Sequence, residues 1–375
     1  MRRETRVAVI GAGLGGTTAA ALLQRAGFAV RLYEQAPAFE RIGAGIHLSP
    51  NLMQVLRAVG VADRLERIGL HPDAFLSRAW DSGEVLFRLP LGEAGERRYG
   101  APYINVHRGD LHAALASAVA PDSIAFGHRL AGIETRGDGC RLLFGNGATA
   151  EADIVIGADG VNSRVRELVL GVEKPRYTGH VAHRCIVPAA AVDPPPADCT
   201  KWWGPDRHLL IYYMTGRRDE LYLVTSFPEP ELTVAGAWAP CDADEFRAEL
   251  AGFHPEVRRV AAAAGAVTKW PVFDREPVPV WSEGRLVLLG DACHPLRPYM
   301  AQGAAMAIED AAVLARCLIE ALASDPLAAF PRYARNRLER TNRVQRVSVA
   351  NDFLRGPTDP AWVFDYDAWT VPLLD

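Results

Sequence analysis

Residues 7–34 constrain this chain more than any other stretch. Val7-Ala8-Val9-Ile10 is a short, β-branched apolar run, and Gly11-Ala12-Gly13-Leu14-Gly15-Gly16 follows at once. Thr17 to Arg25 is alanine-rich with helical spacing and is closed by Gly27. Phe28 to Tyr33 is a second apolar run, ending in Glu34. Strand, glycine turn, helix, strand and acid in this order form the pattern of a dinucleotide-binding unit. Gly11 permits the tight turn, Gly13 lets the backbone approach a pyrophosphate, and Gly16 lets the helix pack close to the strand. The helix N-terminus offers free N–H groups and a positive dipole end to the phosphates. Glu34 is placed to accept hydrogen bonds from a ribose. Arg2 and Arg3 before an apolar run resemble a secretion signal superficially; the glycines and the early return to Arg31 and Glu34 argue against one.

The chain has 375 residues with 49% hydrophobic and 23% charged content, ordinary for soluble protein and enough for two domains or one with a large insertion. Its net charge of −4 implies no nucleic-acid partner. No apolar stretch reaches the roughly 18–20 residues a membrane span needs. The cysteines (Cys140, Cys185, Cys199, Cys241, Cys293, Cys317) show no CxxC spacing and read as reduced thiols, with no metal site. A cytoplasmic enzyme is the expectation.

Beyond Glu34-Gln35, the segment Arg41 to Asn51 reads as a glycine-rich loop carrying His47. Pro50 suits the first turn of the helix after it. A second helix covers Ala62 to Ile68. Ala74 to Tyr103 alternates apolar and polar residues, which predicts antiparallel strands outside the first unit. Arg108 opens an amphipathic helix to about Val119, either as a solvated arginine or as a phosphate or flavin contact. Ile124 to Ala152 reads as strands with a hairpin turn at Gly145-Asn146-Gly147. Asp153 to Gly160 is a buried strand ending in glycines and an acid, followed by a helix capped at Ser163. Tyr177 to Phe227 is β-rich and aromatic, so it fills a core or makes a flat pocket for a planar ligand. Short helices follow near Ala243–Leu250 and Pro255–Ala263. Arg285 to Ala292 is again a buried strand. Two long helices run from Ala301 to about Ala323 and from Tyr333 to Asn351.

Three glycine–acid elements therefore stand far apart: Gly11–Gly16, Gly157–Gly160 and Gly290–Asp291. Together they resemble the single-component flavoprotein aromatic hydroxylases typified by para-hydroxybenzoate hydroxylase. The resemblance implies an α/β fold: a Rossmann-like FAD-binding βαβ domain, an inserted antiparallel-sheet substrate domain, and C-terminal helices. The FAD-binding parts are expected at 1–72, 105–176 and 269–324, the substrate domain at 73–104 and 177–268, and a helical segment at 325–375. FAD contacts carry over to Gly11, Gly13, Leu14, Gly15, Gly16, Glu34, Gln35, His47, Arg108, Leu130, Asp159, Asp291, Pro295, Gly303 and Ala304, with Asp159-Gly160 serving the reduced nicotinamide as well.

The blocks GAGIHLSPN (Gly43–Asn51), VHRGDLH (Val106–His112), VAHR (Val181–Arg184), KWW (Lys201–Trp203), DRHLLIYY (Asp206–Tyr213) and GDACHP with AQGAAMAIEDA look like the branch of the group that acts on 6-hydroxynicotinate. That likeness implies decarboxylative hydroxylation to 2,5-dihydroxypyridine, with NADH and O2 as co-substrates and a flavin C4a-hydroperoxide as oxygen donor. A related hydroxypyridine carboxylate, salicylate or 3-hydroxybenzoate is the alternative. The enzyme is expected as a monomer or homodimer. Cys199, His208 and Tyr212 line the substrate pocket, and His47 and Tyr212 handle the proton, a task suited to a base titrating near working pH. Cys199 packs against the substrate ring or is a structural thiol. His208 binds the substrate carboxylate or caps a strand. Where the group carries a histidine after GDACHP, this chain has Pro298-Tyr299-Met300. Tyr299 keeps hydrogen-bonding ability but carries no positive charge near neutral pH.

Overall fold

The main parallel sheet forms around Arg6–Ile10, in which Val7 to Ile10 are all buried. A strand covered on both faces has no solvent side, which is why it reads as an unbroken apolar run. The computed structural model describes residues 5–40, 44–322 and 325–375. Ala29–Tyr33 pairs parallel on one flank of the central strand and Ile154–Gly157 on the other. Ile124–Ala125 extends the first flank and Leu286–Leu288 the second, and Ser282–Glu283 closes that edge antiparallel. The helix Leu14–Arg25 connects the first two strands and ends before Gly27, whose positive φ of 88° turns the chain back.

A second sheet has eight strands in the order Ala239–Cys241, Val267–Asp274, Arg176–Pro188, Glu220–Pro228, His208–Tyr213, Cys199–Trp203, Ala74–Ala79 and Val85–Pro90. It is antiparallel, as expected, except where Cys199–Trp203 meets Ala74–Ala79. Those two strands are joined by a large part of the nucleotide-binding unit, so no hairpin dictates their direction. The Thr149–Ala152, Gly139–Phe144 and Leu130–Arg136 strands make a small third sheet that includes the predicted hairpin.

Several local expectations change. Gly45–Leu48 is a strand, not loop: it pairs antiparallel with Ile104–His107, His47 opposite Asn105. The alternating segment holds a helix, Gly92–Tyr99, ended by Gly100 at a φ of 75°. The strand at Leu286–Leu288 is short, because Gly290–Ala292 turns as a 3-10 helix. The long helices span Gly303–Ala321 and Ala329–Ala350. The expected end at Ala323, residues Arg41 to Gly43 of the predicted loop, and Arg2-Arg3 lie outside the described residues. The Gly303–Ala321 helix is buried over most of its length and packs against Leu14–Arg25, Pro50–Val59 and Ala329–Ala350. No helix among the described residues is long and apolar enough to cross a membrane.

Candidate active site

Strand register brings the three glycine elements together. Ile10 lies beside Gly157, and Gly157 beside Leu288, so all three turns leave the carboxyl ends of adjacent parallel strands. Ligands bind at this edge of open α/β sheets. A Cβ at Gly11 would stand 2.4 Å from the Ala158 carbonyl oxygen, and one at Gly16 only 2.0 Å from that of Gly11. These glycines are needed for packing. Gly13, Gly160 and Gly303 instead face open space. A cavity of about 450 Å³ starts here, bounded by Gly13 to Gly16, Gly160, Gly290-Asp291 and Gly303-Ala304.

This end fits a dinucleotide. The helices starting at Leu14 and Gly303 have no side-chain cap, so their N–H groups and positive dipole ends remain free for an anion. Arg108 and Asp291 both reach the cavity. Both side chains are solvent-exposed within the cavity mouth; the surrounding walls push the Arg108 pKa down and that of Asp291 up, and their mutual attraction opposes both shifts. The Gly290 turn is held from behind: Asp310 accepts a 3.0 Å hydrogen bond from the Gly290 N–H and lies 2.6 Å from His294 Nε2. Fully buried Arg337 pairs with Asp310 and Glu309, each at 2.7 Å. Asp310 is thereby held down at about 2 despite its burial, which alone would raise it. Glu34 accepts from the Ala12 and Ala36 N–H groups at 2.8 and 2.9 Å, bracing the glycine turn while keeping acceptor capacity on each oxygen.

The far end of the cavity is floored by the eight-stranded sheet. Lys201 pairs with Leu210, Leu210 with Val224, and Val224 with Arg184, one row across four strands, and all four line the cavity. Tyr212-Tyr222 and His208-Ser226 pair on either side of that row and also line it. His47 enters from the Gly45–Leu48 strand. Its ring is 4.1 Å from that of Tyr212, centroid to centroid, and Nδ1 is 2.7 Å from Asn105 Oδ1. Facing an amide oxygen, Nδ1 carries the proton, so Nε2 holds the lone pair. Nε2 is buried and has no hydrogen-bond partner among the described residues. Gly45 makes the arrangement possible, since a Cβ there would be 2.6 Å from Tyr212 Oη.

Burial lowers His47 to about 4, only partly offset by Asn105, and holds the Tyr212 phenol well above its ordinary value. The sequence pattern predicts a base titrating near working pH; a fully enclosed imidazole with a neutral partner is instead an uncharged acceptor. His208 is pushed well below its usual value by burial and by Lys201. Its ring meets Tyr299 edge-on at 5.1 Å, and Ser226 donates a 3.0 Å hydrogen bond to Tyr299 Oη.

Several expected contacts do not line the cavity, Gly11 and Glu34 at its edge among them. Cys199 is fully buried and does not line the cavity, although it pairs with Tyr212 across the sheet. Asp159 lies at the start of the Arg164–Leu170 helix, accepting from Ser163 Oγ and from the Arg164 and Val165 N–H groups at 2.7 and 3.1 Å. Gln35 and Leu130 are off the lining as Glu34 is; Gln35 adjoins Glu34, whose backbone oxygen accepts from the N–H of His128, two residues before Leu130. Pro295 is buried next to the lining residues Leu296 to Tyr299. Conversely, Lys201, Arg184, Tyr103 and Tyr222 line the cavity without having been singled out. The signal was present: Lys201 shares the strand phase of Cys199, and Tyr222 that of Val224 and Ser226.

A family model described as FAD binding domain matches residues 4–348. The chain is 52% identical to 6-hydroxynicotinate 3-monooxygenase of Bordetella bronchiseptica, over 100% of this chain and 98% of the relative. It is 51% identical, with the same coverage, to the enzyme of that name from Pseudomonas fluorescens. Among solved structures it resembles Klebsiella pneumoniae HpxO complexed with FAD and uric acid, at 28% identity and a TM-score of 0.83, covering 94% of this chain and 89% of the other. Matched by that model over nearly all its length and by relatives over the whole of it, the chain belongs to the FAD binding domain family and is a flavoprotein monooxygenase.

Proposed function

We propose that this chain catalyses the NADH- and O2-dependent conversion of 6-hydroxynicotinate to 2,5-dihydroxypyridine and carbon dioxide. The observation that carries the reading is the uncharged His47–Tyr212 pair in one cavity with the glycine turns. The name borne by the full-length relatives at half identity supports the substrate. Gly11 to Gly16, Arg108, Asp291, Gly303 and Ala304 would hold FAD, with Glu34 at its ribose. Bound FAD supplies electron transfer and oxygen activation.

The protein's task is to make the ring electron-rich and keep the site dry. His47 Nε2 accepts the proton of the ring hydroxyl, Asn105 holds the imidazole in the tautomer that can do so, and Tyr212 hydrogen-bonds beside it. A weakly basic imidazole relays the proton rather than storing it. The deprotonated hydroxyl directs electron density to the para carbon, which bears the carboxylate. Hydroxylation there and loss of carbon dioxide restore aromaticity. Tyr103, Tyr212, Tyr222 and Phe364 wall the cavity and exclude water, which the reaction requires.

The test is product analysis. Purified enzyme with 6-hydroxynicotinate should oxidise NADH faster than NADPH and yield 2,5-dihydroxypyridine with stoichiometric carbon dioxide. Tyr299, standing where the group carries a histidine, favours a second reading, a hydroxybenzoate substrate. Coupled product from salicylate or 3-hydroxybenzoate but not from 6-hydroxynicotinate would replace the first reading with the second.

A further inference from the structure

Lys201 is 4% exposed and faces the cavity, yet no carboxylate among the described residues lies within ion-pair distance of it. Its Nζ makes one hydrogen bond, at 3.1 Å, to the backbone oxygen of Tyr299, and lies 3.9 Å from the centre of the Trp203 ring. An ammonium has three donors, so donor capacity remains. Other enclosed cations have acidic partners: Arg337 has Glu309 and Asp310, Arg166 and Arg275 share Glu173, and Lys269 pairs with Glu229 at 2.7 Å. Arg108 is exposed rather than enclosed, with Asp291 near enough to act on its charge. Arg184 is half-buried and stacks on Trp270. Enclosing an ammonium without a counter-charge is unfavourable, and burial lowers Lys201 to about 7.

We infer that Lys201 is the anion anchor of this cavity: its ammonium pairs with the carboxylate of an aromatic acid and selects acids over neutral rings. The inference rests on the reading of the site as one for an aromatic substrate. Leu210, opposite Lys201, and Tyr212 are two residues apart on one strand face, roughly 6.6 Å. That is close to the span between para substituents of a six-membered ring. Lys201 and the His47–Tyr212 pair line the same cavity, so one aromatic acid can meet the ammonium through its carboxylate and the pair through its hydroxyl. Of the groups around the anchor, His208 is held neutral by burial and Tyr299 and Ser226 carry no positive charge, which leaves that charge to Lys201.

The experiment titrates the FAD-loaded enzyme with 6-hydroxynicotinate and with its neutral amide, 6-hydroxynicotinamide, following the flavin absorbance. Wild type should prefer the acid. Lys201→Met should weaken acid binding by roughly 30-fold or more, the loss expected when one partner of a desolvated charge pair is truncated, and leave the amide unchanged. Lys201→Arg should keep the preference. Equal loss of both ligands would make Lys201 a prop for the Tyr299 turn and overturn the inference, as would unchanged acid binding. If Lys201→Met does not retain FAD, wild type and Lys201→Arg decide: no preference for acid over amide in either overturns it. Should wild type respond to salicylate instead, the same ratio is read with salicylate and salicylamide. The substrate reading then fails while the anchor is still tested.

Discussion

At the scale of single residues, the chemistry depends on an imidazole kept neutral. His47 has an amide as its partner rather than a carboxylate, so the Asn105 hydrogen bond offsets only part of the cost of charging it inside the protein. His47→Gln should lower substrate-dependent NADH oxidation by roughly 100-fold or more, the range of a lost general base, while the purified variant keeps its flavin absorbance. Unchanged turnover would remove His47 from the proton path. The residue was legible as a candidate because it follows a glycine pair in a recognisable block. Its partner Asn105 was not, because only the pairing of two four-residue strands sets His47 opposite it. Lys201 was quoted in a block but drew no role; a lysine in a sequence looks solvated until the fold encloses it.

At the scale of elements, the glycine turn separates two demands that sequence spacing merges. Gly16→Ala puts a methyl against the Gly11 carbonyl and should destabilise the protein even without FAD, read as a lower Tm. Gly13→Ala meets nothing among the described residues, so it should fold with an ordinary Tm and lose FAD on gel filtration. If Gly13→Ala retains FAD as wild type does, the space at Gly13 is not the pyrophosphate approach. Asp159 gives a third test. Ser163 is the N-cap of Arg164–Leu170, and Asp159 accepts from the first two helical N–H groups; replacing Asp159 by Ala should cost about 1–2 kcal/mol of stability, the scale of lost hydrogen bonds to a charged group, with FAD retained in calorimetry and absorbance. Loss of flavin at unchanged stability would return Asp159 to the cofactor. Strand, turn and helix at residues 7–33 were readable because each is local. The Gly45–Leu48 strand was not, since four residues with a glycine show no alternation and their partner is distant.

At the scale of the molecule, enclosing neutral histidines makes the fold acid-sensitive. Unfolded, such a ring titrates near 6.5; folded, His47 and His183 resist protonation down to about 4, chiefly through burial. The unfolded chain then binds more protons between those values, so stability is fully present above pH 6.5 and falls as pH drops toward 4. For His47 the loss amounts to on the order of 3 kcal/mol. His183→Gln, remote from the chemistry, should flatten that fall in calorimetry from pH 6.5 to 4; a variant whose Tm falls as steeply as wild type would show that His183 protonates freely. The sequence by itself determined the nucleotide-binding edge, since a βαβ turn needs its glycines at fixed spacing and its strands apolar throughout. It also carried the family, through blocks spread along the whole chain. Only the tertiary structure decided which residues share the cavity, because register across four strands puts Lys201 and Arg184 in one row. It alone decided their charge states as well, because burial sets what an imidazole or an ammonium costs to protonate.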